Sequence, residues 1–430
     1  MEVNMSEIAN AISVFFGWIN SLGATVMLPI ALFLIGVAFG LKPAQSFVNG
    51  LRVGIGFYGL NLMTGAIAST VGPLANALVE RTGLALSIPD VGVAVHFPIT
   101  FSLTAAAFMI PLGILVNVVM LLLKLTKTVD IDVWNFWPSM FSWACVQGLT
   151  GSAFYGFLAF VFTVAISLVL GDMQAKYIEK YYNMPGISFP HPFSSFFGLL
   201  AWPFMWLFDR IPGIKDWNAD IDSMQKKIGP LGNSTVFGLV IGIGLSFLGG
   251  YDVIKALQTG VVVAAILLLL PEMLKVLMSG LFPISEAARK WLTQKFPGRE
   301  FYIGLDCAVG VAQPSAVIVA VLLIPITLVM AAILPGNKLL PLADLAYLGF
   351  WVAMPMAMFK NNIVKGVLFG AFAIGVSMLM ATSIAPLVTR LAVEAGTTIP
   401  EGVSQISMLT VYPWAWVTTW FSSLFTGGIF

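Results

Sequence analysis

The sequence predicts an all-α polytopic membrane protein, on three observations. Of 430 residues, 59% are hydrophobic and only 10% are charged, where a soluble domain carries about 25% charged residues. Mean hydropathy is +0.94. The apolar residues also fall in charge-free runs, several of them beyond the roughly 20 residues that a helix needs to cross a bilayer core. Such a chain cannot build a water-facing surface. Soluble enzymes, nucleic-acid binders and disordered proteins are excluded.

The long runs are 8–41, 53–79, 91–123, 133–171, 228–251, 307–337, 366–389 and 402–430. Run 133–171 is long enough for two spans joined near Gly148–Gly151, and 256–271 and 345–359 extend into two more. Met1–Asn10 holds Glu2 and Glu7 and no basic residue, so it lacks the basic start of a cleavable signal peptide. Three apolar stretches do not read as spans. Segments 88–98 and 301–314 are short, each holds an Asp and each ends in Pro, the pattern of a re-entrant hairpin. Segment 193–208 is aromatic-rich and interrupted by Pro203, which suits a helix lying flat at the interface.

Basic residues mark the cytoplasmic side of a membrane protein. With 193–208 flat, both Asp segments re-entrant and the N-terminus outside, every Lys and Arg falls inside except Arg81, Lys255, Lys338 and Arg390. A crossing at 193–208 would leave fewer than half inside. The expectation is therefore about 11 spans, N-terminus outside and C-terminus cytoplasmic.

An internal repeat runs through the chain. Thr25-Val26 matches Thr235-Val236, Gly40 matches Gly250 and Gly50 matches Gly260. Asp90 matches Asp306, Pro98 matches Pro314, Pro111 matches Pro325 and Asp132 matches Asp344, all in one order at a near-constant offset. Five spans per half, an odd number, make the two repeats inverted, an architecture of alternating-access transporters.

Asp90 and Asp306 stand in the two hairpins. An ionisable group at membrane depth is a functional candidate by default, though each Asp could equally cap the half-helix it precedes. Asp132 and Asp344 open spans after loops, where capping is the simpler role. His96 lies near the tip of the first hairpin, and His191 in Phe189-Pro-His-Pro192 before the flat segment; each is either a structural residue or a ligand. Gln147 and Gln313 are amides at membrane depth and need a partner or a hydroxylated ligand. Cys145 and Cys307 do not suggest a disulfide framework. The sequence has no phosphate-binding loop with Lys, no metal-ligand spacing and no nucleophile motif. No cofactor, metal or nucleic acid is expected.

Residues 36–65 (GVAFGLKPAQSFVNGLRVGIGFYGLNLMTG), the TKTVDIDVWNFW stretch ending at Trp137, 211–253, Gly304-Leu-Asp306 and 334–350 (LPGNKLLPLADLAYLGF) together resemble the membrane-embedded galactitol-type IIC permeases of the bacterial phosphotransferase system. The likeness runs from about residue 20 to residue 390. It implies a homodimeric sugar or polyol permease with a fixed scaffold and a mobile core that moves as an elevator. The substrate would be phosphorylated by a cytoplasmic IIB partner carrying phosphocysteine, itself charged by IIA. On that analogy the scaffold is 11–80 and 233–280, and the core is 81–171 and 281–389 with one hairpin in each part. A cytoplasmic linker with the flat helix spans 172–232, and a C-terminal span covers 390–430. The expected substrate ligands are Asp90, His96, Gln147, His191, Asp306 and Gln313, with His191 or Asp306 aligning or deprotonating the accepted hydroxyl. The rival expectation is a polyol symporter driven by H⁺ or Na⁺ through Asp90 or Asp306.

Overall fold

The computed structural model describes residues 23–83, 86–214, 234–295, 297–397, 399 and 403–426. The expected first residues of the scaffold before Gly23, and the linker positions Lys215, Lys226 and Lys227, lie outside the described residues. What is described is mostly helical, as the composition requires. Among the described residues, three helices are long and apolar enough to cross a membrane: α6 (Ala153–Tyr182), α11 (Pro314–Ile333) and α13 (Ile363–Glu394).

Two matched helix pairs pack together. The first is α1 (Gly23–Ala38) with α2 (Pro43–Thr82); the second is α8 (Ser234–Leu248) with α9 (Val253–Lys295). α2 has 40 residues and α9 has 43, about 60 Å or more at 1.5 Å per residue. Each continues well past a bilayer core, so the boundary expected between 280 and 281 falls inside α9. Glu272 and Lys275 interrupt the apolar run there but not the helix, where they pair one turn apart. Gly40 and Gly250 end α1 and α8 with φ of +92° and +82°. The same two bonds close both caps: Gly40 N–H to Val37 O and Leu41 N–H to Gly36 O, then Gly250 N–H to Phe247 O and Tyr251 N–H to Ser246 O. These are Schellman turns, which glycine enters without steric penalty. α2 and α9 cross where Gly56 lies on the Leu277 backbone and Gly280 on the Asn49 carbonyl, leaving no room for a Cβ at either.

The rest is built from shorter pieces: β1 (Ile88–Pro89), α3 (His96–Phe101), α4 (Met109–Leu122), β2 (Thr128–Asp130), α5 (Trp137–Thr150), β3 (Ile187–Ser188) and α7 (Pro192–Phe208). After α9 come β4 (Tyr302–Gly304), α10 (Ala308–Val311), α11, β5 (Leu339–Leu340), α12 (Gly349–Met358), α13 and α14 (Pro413–Thr426). The strands were not anticipated. They form two small parallel sheets, β1–β5 and β2–β4–β3. Extended backbone at membrane depth must have its N–H and C=O groups bonded inside the protein, and these strands do so for both Asp segments. The pairing is reciprocal: the strand before the first Asp segment joins one from the second half, and the strand before the second joins one from the first. The core centres on α12, where every residue but Phe350 is buried.

Two expectations are corrected. Segment 193–208 does not lie flat. An interfacial helix buries one face only, whereas residues 192–198 of α7 are all buried. α7 runs beside α6, where the Gln174 amide donates to Ser195 O at 2.9 Å. At their ends, Tyr181 O accepts from Asn361 and Asp209 faces Lys365 at 3.6 Å. Both helices thus finish at the N-terminal end of α13. Among the described residues the C-terminal helix is shorter than the expected span. α14 has 14 residues, about 21 Å, and its flanking Tyr412 already lies in the interior beside Phe141 of α5. It then follows α5, with Thr419 beside Cys145, towards the end of α13 where Arg390 donates to Gly148 O.

Candidate functional site

Each Asp segment is closed by a carboxylate from the other half of the chain. Asp132 Oδ2 accepts the Asp306 N–H at 3.2 Å while its Oδ1 accepts Trp134 N–H. Asp306 Oδ1 accepts Ala308 N–H at 2.7 Å, closing the turn that leads into α10. On the other side Asp90 Oδ2 accepts the N–H groups of Leu342 and Asp344, and its Oδ1 those of Gly92 and Leu409. Asp344 in turn accepts from Val93 N–H, Thr410 N–H and the Thr410 hydroxyl. Neither aspartate is the side-chain cap of the half-helix after it, whose N-caps are Val95 and Cys307; both instead accept backbone N–H groups of the turns around them. They differ in what is left over: Asp90 is closed inside this network, and Asp306 opens onto a cavity.

That cavity has a volume of about 410 Å³. His191, Asp306 and Thr410 bring polar groups to it, and Phe57, Phe97, Trp134, Trp137, Phe193, Tyr347, Phe350 and Tyr412 make its walls aromatic. His191 is positioned by its place at the start of α7: Nδ1 accepts the Phe193 N–H at 3.3 Å, which assigns the proton of the neutral ring to Nε2. The His191 ring, the Asp306 carboxylate and the Cys307 thiol have ligand atoms within 4.8 Å of one another. Their N, O and S donors are a set that a soft divalent ion could use.

Of the six expected ligands, the structure brings His191 and Asp306 together and leaves four outside the lining. Asp90 is in the closed network. His96 is fully buried behind the wall, 4.6 Å from the Tyr412 ring and 4.2 Å from Phe141 between centroids. Neither of its nitrogens has a partner among the described residues. Gln147 has the local partner that was not foreseen, Trp143 one turn earlier, whose Nε1 donates to Oε1 at 2.7 Å. Gln313 flanks the start of α11 without a side-chain cap. The aromatic wall was missed, because Trp and Phe in an apolar chain read as lipid-facing bulk. The TKTVDIDVWNFW stretch does two things: its first residues are held in place, Asn117 bracketing β2 through Thr128 O and Asp130 N–H and Asp172 accepting from Thr126 and Thr128, and its Trp134 and Trp137 line the cavity.

The chain is mostly helical, and its two Asp segments pair with strands of the other half beside a small polar–aromatic cavity; the comparisons give the family. The family model for the sugar-specific permease component of the phosphotransferase system, EIIC-GAT, matches residues 18–402. This chain belongs to that family. It is 38% identical over 379 residues to the galactitol-specific EIIC component of the phosphotransferase system of Escherichia coli (strain K12), an alignment covering 88% of this chain and 84% of the relative. The same component from Escherichia coli O157:H7 aligns with the same identity and coverage. The chain is thus an EIIC permease component, a membrane protein of sugar transport, and the family implies IIA and IIB partners and a sugar substrate. An ion-coupled symporter finds no support in these likenesses.

Proposed function

We propose that this EIIC carries galactitol or a closely related polyol inward and presents it at the cavity for phosphorylation by a phosphocysteine on IIB. The observation that carries the reading is the meeting of Asp306 and His191 on a cavity of about 410 Å³ with aromatic walls, a size and lining suited to a small hydroxylated solute. Aromatic faces take the C–H side of a polyol, and the carboxylate and imidazole take its hydroxyls. The Nε2–H of His191 donates to the accepted hydroxyl oxygen and aligns it. Asp306 takes the proton as that oxygen attacks phosphorus and the Cys thiolate of IIB leaves. The product carries about −1.5 to −2 charge, which the aromatic cavity does not readmit, so uptake is directional.

We further infer an inverted-repeat architecture. The matched caps of α1 and α8 and the reciprocal strand pairs support it. α1, α2, α8 and α9 are the scaffold, and the remainder is the elevator core of a homodimer. With α7 and α14 returning, ten crossings remain. The basic ends of α6, α7 and α9 face the cytoplasm of a bacterial inner membrane, and the start of α1 and the end of α14 face outward.

The test uses vesicles holding the purified chain, galactitol outside, and phosphorylated or unphosphorylated IIB inside. Galactitol phosphate accumulating only with phosphorylated IIB is expected. Accumulation of free galactitol under a proton or sodium gradient alone would overturn the reading.

A further inference from the structure

Tyr412 occupies in the C-terminal segment the place that His191 occupies in the middle of the chain. His191 precedes Pro192 at the start of α7, and Tyr412 precedes Pro413 at the start of α14. Each carbonyl accepts the N–H four residues on, Ser195 to His191 and Trp416 to Tyr412, both at 3.0 Å. Each follows a segment bridged to one of the hairpins, β3 on β4 for His191 and Ser407 on Asp90 for Tyr412. The two rings face the same cavity with centroids 6.3 Å apart.

Tyr412 is also the hub of the aromatic wall. Its ring contacts Trp137, Phe141, Phe193, His96 and His191, with centroids at 4.6 to 6.3 Å. Five neighbouring rings fix its plane. Among the described residues its hydroxyl has no hydrogen-bond partner, and it is not one of the fully enclosed polar atoms that lack one. A buried tyrosine ordinarily finds a partner for its hydroxyl, and here the space beside it is the cavity. Behind it, His96 carries two unpartnered nitrogens sealed from that space.

We propose that Tyr412 is a specificity-determining residue: its hydroxyl bonds one hydroxyl of the bound polyol and its ring is the platform against the polyol's carbon chain. This rests on the proposed function and adds a third polar contact opposite His191 and Asp306. A hydrogen-bonding wall rejects an analogue lacking the matching hydroxyl far more strongly than an apolar wall does. Tyr412 takes no part in moving the proton, so its loss falls on binding.

Galactitol binding to the purified full-length protein, followed by calorimetry, tests this together with IIB-driven phosphorylation at saturating galactitol. Tyr412→Phe is expected to weaken galactitol binding about tenfold or more while leaving phosphorylation at saturation within twofold. The variant should also discriminate less between galactitol and its singly deoxygenated analogues. Unchanged affinity with unchanged ranking of the analogues overturns the assignment, as does a loss at saturation equal to the loss in binding. Thermal melting accompanies each variant. If Tyr412→Phe proves unstable, Tyr412→His decides: restored binding supports a polar contact, and absent binding from a folded variant overturns it. A wild-type protein that binds no polyol removes the proposed function, whereas an altered Tyr412→Phe in a wild type that binds separates the two.

Discussion

Two aspartates at corresponding places in the repeat do different work, and the difference lies in their free oxygen valence. Asp90 accepts four backbone N–H groups, two on each oxygen. Asp90→Asn replaces one oxygen by an NH₂ and strands two buried donors, at about 1–3 kcal/mol each; the expected outcome is a sharply lower melting temperature and poor yield. Asp306 accepts the Ala308 N–H on Oδ1 and faces the cavity. Asp306→Asn should fold, hold galactitol within a few-fold and lose about 10² in IIB-driven phosphorylation, measured as binding and single-turnover transfer on the same preparation. Equal loss of binding and transfer would make it a ligand alone. Gln147→Leu offers a third contrast. Its partner is Trp143, so galactitol affinity should stay within twofold while melting falls. A tenfold loss of affinity would return Gln147 to the site. From the sequence, Asp306 was legible as a candidate because charge is rare at membrane depth, and His191 as one of only two histidines, though its sequence position puts it in the cytoplasmic linker and not beside Asp306. Tyr412 was not legible, since one tyrosine among 54 aromatic residues of the Phe, Trp and Tyr types carries no such signal.

At the scale of elements, what could be read was set by glycine and by charge-free length. Gly40 and Gly250 mark real helix ends, and Gly151, with φ of +71°, breaks 133–171 near the expected place. The short strands could not be read, because they arise from long-range pairing of residues more than a hundred positions apart. The flat reading of 193–208 failed for a related reason: amphipathic-looking aromatic sequence does not reveal that its polar residues Ser194 and Ser195 are turned into the protein. Glycines inside helices separate into two kinds that a substitution can tell apart. Gly56 of α2 lies against the Leu277 backbone of α9, which cannot move aside, while nothing lies within 4 Å of a Cβ built on Gly244 of α8. Gly244→Ala should therefore leave the melting temperature unchanged or raise it slightly, by up to about 1 kcal/mol of helix propensity. Gly56→Ala should lower it and broaden the size-exclusion profile in detergent. Equal effects at both positions would mean that α2 and α9 do not approach closely in the membrane.

For the whole molecule, the governing feature is that α7 and α14 both begin at the cavity, α7 running to the N-terminal end of α13 and α14 towards its Arg390 end. Each brings the residue before its first Pro to the same small volume, and the site is complete only when both are present. The charge distribution agrees with this path. Arg210 follows α7, Lys176 and Lys180 lie in the last turns of α6, and Lys365 opens α13; the contacts between Tyr181 and Asn361 and between Asp209 and Lys365 hold these ends together. Arg390 marks the opposite end of α13, beside Gly148. By the positive-inside rule we expect the first group to be cytoplasmic and the second outside. Because α14 heads towards the Arg390 end, its last turn should be reached from outside. The two native cysteines, Cys145 and Cys307, are buried, so an introduced cysteine would be read against a low background. In intact cells a membrane-impermeant thiol reagent should label Thr426→Cys and Arg390→Cys, and should label Asp209→Cys and Lys365→Cys only after permeabilisation. Labelling of Asp209→Cys from outside would mean that α7 crosses, which would reverse every span after it. Protection of Thr426→Cys alongside a labelled Arg390→Cys would restore an eleventh crossing, and Tyr412 would then have to reach the cavity from a span instead of a returning helix.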